Sequence, residues 1–357
     1  MQLKRLSLLN YRNATRGQYT FDAPVVSITG PNGTGKTNVL DAIHYLCLSK
    51  SYFSQQDQQL VRFGEDFFNL DADIVQNERE TRLFCAWQGG KKLLKNNGVT
   101  YERLADHIGR FPVVMVAPTD LDLIYDSSEI RRRFADMLLS QTDHDYLLAL
   151  MRYNKLLQQK QAMLRQFKTD GRFDSLLFDI LSEQLHPFNV QLSSKRAAWL
   201  DQFNPLFENI YRTISGNREA AGISYEHLSR PELSQAQKSK QEQEAGRCLF
   251  GIHRDELHFT LDGQAVRRFG SQGQQKSFLI SLKLAQAIYL SEQCGQKPFL
   301  LLDDIFEKLD GSRISSLLRL VQEDRFGQIF LTDTDRKRVE AIFGTGPHIQ
   351  YIELDHT

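Results

Sequence analysis

Residues 30–37 read GPNGTGKT and carry the strongest chemical signal in the chain. Every fixed position of G-x-x-x-x-G-K-[ST] is filled, by Gly30, Pro31, Asn32, Gly33, Thr34, Gly35, Lys36 and Thr37. The glycines let the backbone curl so that its N–H groups point inward at phosphate oxygens. Lys36 is expected to neutralise charge on the β- and γ-phosphates, and Thr37 to offer its hydroxyl to Mg²⁺. The loop itself does not choose adenine over guanine. A second constellation sits at residues 299–304, FLLLDD. An apolar run ending in acids places Asp303 as the Mg²⁺-associated carboxylate and Asp304 as the group that orients or deprotonates an attacking water. A third is FGSQGQQKS at 269–277, where Ser271, Gln272, Gly273 and Gln274 open an apolar helix. Ser271 can donate a hydrogen bond there, the Gly273 backbone can approach closely, and the helix points its N-terminus at an anion. Ser271 can equally be a plain helix N-cap.

The flanking elements must position these groups. VVSIT at 25–29 is a β-branched run that reads as a buried strand, and NVLDAIHYLCL after the loop has apolar residues at helical spacing. Strand, loop and helix together are the context that confirms a phosphate-binding P-loop. SFLISLKLAQAIYL after the third constellation reads as an apolar helix. Residues 139–167 carry apolar side chains three and four apart, with Lys160 at the one polar position of the later part. KTDGR at 168–172 breaks that helix, and a second runs from 173 to about 214, with a kink expected at Pro187 and a fresh start at Asn204-Pro205. The polar stretch 231–246 reads as a mobile loop or linker.

Composition narrows the partners. The 357 residues suggest about two domains. Lys+Arg and Asp+Glu are both 44, so nucleic-acid binding must rest on a local patch. Two patches stand out. One is Arg152, Lys155, Lys160, Arg165, Lys168 and Arg172 on the first arm helix. The other is Lys91, Lys92 and Lys95, read as a basic hairpin tip. Either can also be a solvated face. The four cysteines form no C-x-x-C pair, which argues for a reducing compartment. With no apolar run of spanning length and no signal-peptide core at the start, a soluble cytoplasmic protein is expected.

The motifs also carry a resemblance. Ser271-Gln272-Gly273-Gln274 resembles the L-S-G-G-Q signature of the ABC-type ATPases, and the order P-loop, signature, Asp strand, then Leu309-Asp310 like a D-loop is theirs. In that superfamily the signature caps the nucleotide of a second subunit, which implies a head-to-tail homodimer with two ATP sites. NYRN at 10–13, GPNGTGKTNVLDAI, the arginines of RRRFAD at 131–136, GIHRDEL at 251–257, SQGQQK and LLLDDIFEKLD together resemble the RecF family, relatives of the SMC-type ATPases. The likeness spans nearly the whole chain.

It implies an α/β fold. An ABC-type ATPase head, 1–130 and 247–357, would carry an inserted antiparallel helical arm, 131–246. It implies ATP and Mg²⁺ as cofactors. It implies an ATP-dependent DNA-binding recombination mediator that dimerises on ATP. Such a protein binds single- and double-stranded DNA at gaps without sequence preference, and works with RecO and RecR to load RecA. His253 and Arg254 would lie near the nucleotide or the subunit boundary, although a histidine beside an aspartate can also be a plain structural pair. The chain departs from the pattern at Gly270, where leucine is usual. It also departs at Ala117-Pro118-Thr119-Asp120, where many members place a metal-sensing glutamine, so that Asp120, Thr119 or nothing serves there. Asp333 stands near the place of a missing histidine. Weak, DNA-stimulated ATP hydrolysis is therefore expected. Transporter nucleotide-binding subunits share these motifs, an SMC-like clamp would not need Asp304, and a P-loop kinase would leave the signature and the arm without a purpose.

Overall fold

The computed structural model describes residues 1–171, 173–228, 230, 232–305 and 326–355. Its contacts divide into two units: Met1–Leu121 with Asn209–Glu219 and Ser271–Thr357, and Asp122–Glu208 with Ala220–Gly270.

The first unit holds two sheets with a helix between them. Strands β1 (Gln2–Tyr11), β2 (Ala14–Thr20), β4 (Phe67–Gln76), β5 (Arg79–Gln88), β6 (Lys91–Asn96) and β7 (Val99–Thr100) form an antiparallel sheet in the order β2-β1-β4-β5-β6-β7. The alternation of β4, FFNLDADIVQ, buries every second residue, as a sheet with one wet face requires. Strands β3 (Val25–Thr29), β8 (Val113–Val116), β12 (Phe299–Asp303), β13 (Ile329–Asp333) and β14 (Ile349–Glu353) form a parallel sheet in the order β14-β3-β13-β12-β8. Except for β14 these strands are buried throughout, which is why they read as unbroken apolar runs. Helix α1 (Lys36–Leu48) packs against strands of both sheets, so it buries side chains all round, from Val39, Leu40 and Ile43 to Tyr45 and Leu46. Tyr11, Tyr45 and Phe68 close this core edge to face, with centroids 5.2–6.3 Å apart.

The second unit is helical, with one small sheet. It contains α2 (Asp122–Tyr125), α3 (Ser128–Thr142), α4 (His144–Asp170), most of α5 (Ser175–Ser215), β9 (Ala221–Glu226), α6 (Gln235–Ala245), β10 (Glu256–Leu261), β11 (Gln264–Ala265) and α7 (Val266–Phe269). α4 and α5 run antiparallel: Asp143 meets Lys195, Tyr146 meets Arg196, and Lys160 lies 4.3 Å above the ring of Phe178. The helix expected over 139–167 is in fact two, because Asp143 ends α3 and caps α4 by accepting from Tyr146 N at 2.9 Å. α4 stops at Gly171 in the left-handed region, φ 72°.

The stretch 231–246, expected as a mobile loop or linker, is helical over Gln235–Ala245. α6 occupies most of it, started by a capping box between Ser234 and Gln237. Its buried side chain is Glu242, which pairs with Lys160 of α4 at 2.7 Å and accepts from Leu249 N at 2.8 Å. A helix held by one buried ion pair has no apolar stripe to read. α5 also runs through Pro187 and Pro205 without a fresh start. Asn204 instead donates to Glu208 Oε1 at 2.6 Å and accepts from Ile223 N at 2.7 Å.

Asp255 of the GIHRDEL segment is fully buried. Arg196 (3.0 Å), Tyr225, His227 (2.7 Å) and Leu228 N (3.3 Å) all bind its carboxylate. His253 is held by Tyr153 OH at 2.6 Å, and burial pushes its pKa down to about 4, so it is neutral. The four cysteines are free thiols. Among the described residues no helix is long and apolar enough to cross a membrane.

Candidate nucleotide site

The P-loop joins β3 to α1 in the first unit, at the carboxyl end of the parallel sheet. Gly30 has φ 146°, and a Cβ there would lie 2.2 Å from Leu354 O, so only glycine fits beside β14. Gly35 has φ 97°, and a Cβ there would press on Asn13 Oδ1 at 3.2 Å. Asn13 itself donates to Gly33 O at 2.8 Å and accepts from Asn38 Nδ2. The residues after β1 therefore brace the loop from outside. Behind them, Arg12 pairs with the buried Asp41 of α1 at 2.9 Å, and Tyr11 OH donates to the same carboxylate at 2.8 Å.

Lys36 is buried and donates to Gly30 O at 2.7 Å and Pro31 O at 2.8 Å. Burial holds its pKa below the usual lysine value, while Asp304, Asp303 and Asp333 pull the other way. Thr37 Oγ1 lies 2.9 and 3.1 Å from the two oxygens of Asp303. Burial raises the pKa of Asp303, opposed by the hydrogen bonds from Thr332 and Thr37. Asp304 follows in the left-handed region, φ 50°. Its N–H donates to Thr332 Oγ1 at 3.0 Å, and its buried Oδ1 has no hydrogen-bond partner among the described residues. A cleft lined by Asn13, Asn32, Gly33, Gly35, Lys36, Thr37, Asn38, Asp303, Asp304 and Thr332 results.

This donor set fits a magnesium nucleotide. One hydroxyl, one carboxylate and a buried ammonium converge with the orphaned Asp304 oxygen. Magnesium takes one or two carboxylates and completes its shell with phosphate and water. Among the described residues no group of three or more His, Cys, Asp and Glu could hold a metal by itself.

The signature-like stretch belongs to the same unit. Ser271 caps α8 (Gln272–Cys294) in a reciprocal box: Ser271 Oγ accepts from Gln274 N at 3.3 Å and Gln274 Oε1 accepts from Ser271 N at 2.7 Å. Gln274 Nε2 donates to Glu219 at 2.7 Å. Ser271 and Gln272 are exposed, so the first turn of a 23-residue helix faces outward.

The sequence matches the profile of the RecF/RecN/SMC N terminal domain over residues 2–343. It is 42% identical over 346 residues to the DNA replication and repair protein RecF of Flavobacterium johnsoniae, covering 96% of each chain. It is 40% identical over 353 residues to the protein of the same name from Porphyromonas gingivalis, covering 97% of this chain and 95% of that one. The chain belongs to the RecF family. A solved structure of the recombination mediator protein RecF with ATPrS, in the RecFOR pathway, superposes with a TM-score of 0.85 at 26% identity, over 94% of this chain and 93% of that one. An Smc head bound to ScpA shares the fold, at a TM-score of 0.53 and 14% identity.

Within this RecF fold the remaining candidates fall out as follows. Asp120 and Thr119 do not line the cleft. Asp120 is consumed in the core, where it takes Tyr52 OH, Lys283 Nζ at 2.9 Å and Ala117 N at 2.7 Å. Asp333 is buried, accepts from Asp335 N at 2.8 Å and pairs with Arg338 at 3.3 Å. His253 and Arg254 belong to the second unit, whereas the residues lining the cleft belong to the first. Lys91, Lys92 and Lys95 lie on strand β6 and not on a tip, which is Gly89-Gly90. Lys92 is bound to Ser49 O at 2.6 Å and Asp57 at 2.9 Å. On the arm, Lys160 is buried against Glu242. Leu309-Asp310 and Arg172 lie outside the described residues. Thr332 and Asn13 were missed as site residues. Thr332 sits opposite Asp303 in the pairing of β12 with β13, which no local motif announces.

Proposed function

We infer that this chain is an ATP-dependent DNA-binding recombination mediator of the RecF type. The contact between Thr37 and Asp303, 266 residues apart in sequence and 2.9 Å apart in space, carries the reading. Bound MgATP supplies the phosphoanhydride and the charge around which two copies pair. Thr37 and Asp303 hold the metal, the P-loop amides and Lys36 hold the phosphates, and Thr332 keeps Asp303 in place. Asp304 Oδ1 is the acceptor for the proton of the attacking water. Ser271, Gln272, Gly273 and Gln274 of one copy complete the site of the other across a two-fold axis.

Hydrolysis is weak and DNA-stimulated. Asp304 is short for aligning water, and neither Thr119 nor Asp120 supplies a sensor at the cleft. The homodimer binds single- and double-stranded DNA at gaps through backbone phosphates, using Lys91 and Lys95 of β6 and the exposed Arg152, Lys155, Arg165 and Lys168 of α4. It acts with RecO and RecR in the cytoplasm to load RecA. Sedimentation of wild type and Lys36→Met, with and without MgATP and duplex DNA, tests this. Wild-type dimers that need MgATP and last longest on DNA, and are missing in Lys36→Met, support it. A wild type that stays monomeric under every condition refutes it.

A further inference from the structure

Lys283 is the sole charged side chain among the residues buried along α8. Its ammonium lies 2.9 Å from Asp120 Oδ1, 2.8 Å from Tyr52 OH and 3.0 Å from Met115 O of β8. Asp120, 6% exposed, also takes Tyr52 OH and Ala117 N. Tyr52 reaches the other way. Its N–H donates to Asp41 Oδ1 at 2.8 Å, and its ring meets His44 edge to face at 5.1 Å; both residues are on α1. Asp41 is paired with Arg12, next to the Asn13 that holds Gly33 O. Polar contacts linked through Tyr52 itself and the Arg12–Asn13 peptide thus run from the P-loop to α8, whose N-cap is Ser271.

A buried ion pair is no more stabilising than an apolar pair of the same volume, and its best-attested use is to fix register. We propose that the Lys283–Asp120–Tyr52 node is a positioning device: it fixes α8 and the Ser271 loop in register with α1, and passes nucleotide occupancy at the P-loop to that loop. The proposal rests on the reading that the P-loop takes MgATP. Two discrete arrangements biased from both ends are what such coupling requires, so the test must read the far end directly.

Amide hydrogen exchange over residues 271–284 is measured on the full chain, dilute enough to remain monomeric, with and without MgATP. In wild type, MgATP slows exchange in the first turns of α8 at least threefold. Lys283→Met/Asp120→Leu replaces the node by apolar groups. It unfolds at a lower midpoint, because Ala117 N and Tyr52 OH lose their acceptor, but it folds and binds MgATP with a Kd within twofold, yet loses the slowing. Asp120→Asn, which keeps shape and acceptor, serves if the double variant does not fold, and reduces the slowing at least twofold. Full slowing in a folded variant overturns the proposal, because the node is then only packing. Wild type that binds MgATP without any slowing overturns it too. Wild type that does not bind MgATP overturns the nucleotide reading itself.

Discussion

Thr332→Val removes one hydroxyl from the centre of the site. Thr332 is fully buried; its Oγ1 donates to Asp303 Oδ1 at 2.8 Å and accepts from Asp304 N at 3.0 Å. Valine has nearly the same shape, so no cavity contributes. A hydrogen bond to a charged acceptor is worth about 1.5–3 kcal/mol, and an orphaned buried N–H costs about 1–3 kcal/mol. The expected loss is about 3–5 kcal/mol. Thr332→Ser keeps both hydrogen bonds, loses one methyl group and costs about 1 kcal/mol. Guanidinium unfolding at unchanged slope reports the difference as a shift in midpoint. The same valine variant weakens magnesium-dependent nucleotide binding, because Asp303 loses the group that orients it. If Thr332→Val costs no more than Thr332→Ser, the hydroxyl does not hold the two aspartates and the described site geometry is wrong.

Other outcomes follow from the same structure. Lys160→Met leaves Glu242 buried without its cation and costs about 3–5 kcal/mol. Adding Glu242→Gln, whose carbonyl still accepts from Leu249 N, restores most of that in the same unfolding assay, whereas an unaffected single variant contradicts a folded α6. Burial pushes the pKa of His107 down to about 4, so the unfolded chain binds a proton below pH 6.5 that the folded chain refuses. Stability therefore falls as pH drops from 6.5 toward 4, and His107→Gln flattens that decline in pH-dependent unfolding. An equally steep decline assigns it elsewhere. Lys91→Glu/Lys95→Glu lowers the slope of log affinity for DNA against log salt by about 0.9 per lost phosphate contact, and an unchanged slope removes β6 from the footprint. Lys92→Glu acts on stability instead, because it sets a second acid against Asp57.

What was legible in the sequence was local. The P-loop announces itself because VVSIT, the glycines and the helix are contiguous, and Asp303 because it follows the unbroken apolar run FLLL. Periodicity also located α4, α5 and α8. It failed where polar groups do the packing. α6 read as a linker because Glu242 finds its cation on a helix some eighty residues earlier. Asp120 read as a sensor candidate because nothing near it in sequence reveals Lys283 or Tyr52. Lys92 looked like a free cation because Asp57 and Ser49 are brought to it only by the fold. Thr332 escaped because a threonine in a strand carries no signal until its neighbour strand is known to end in Asp303. Pairings between distant polar residues are set by topology, and alternation and spacing do not encode them.

The most direct measurement is sedimentation equilibrium of wild type and Ser271→Arg with MgATP, alongside a titration of MgATP binding to each monomer. The substitution lies at the exposed cap of α8, which is not among the residues lining the cleft of Lys36, Thr37 and Asp303. The account predicts equal MgATP affinity for the two monomers, and dimers in wild type alone. Dimers of Ser271→Arg that match wild type would contradict it, because the Ser271 loop would then have no part in the second copy's nucleotide site.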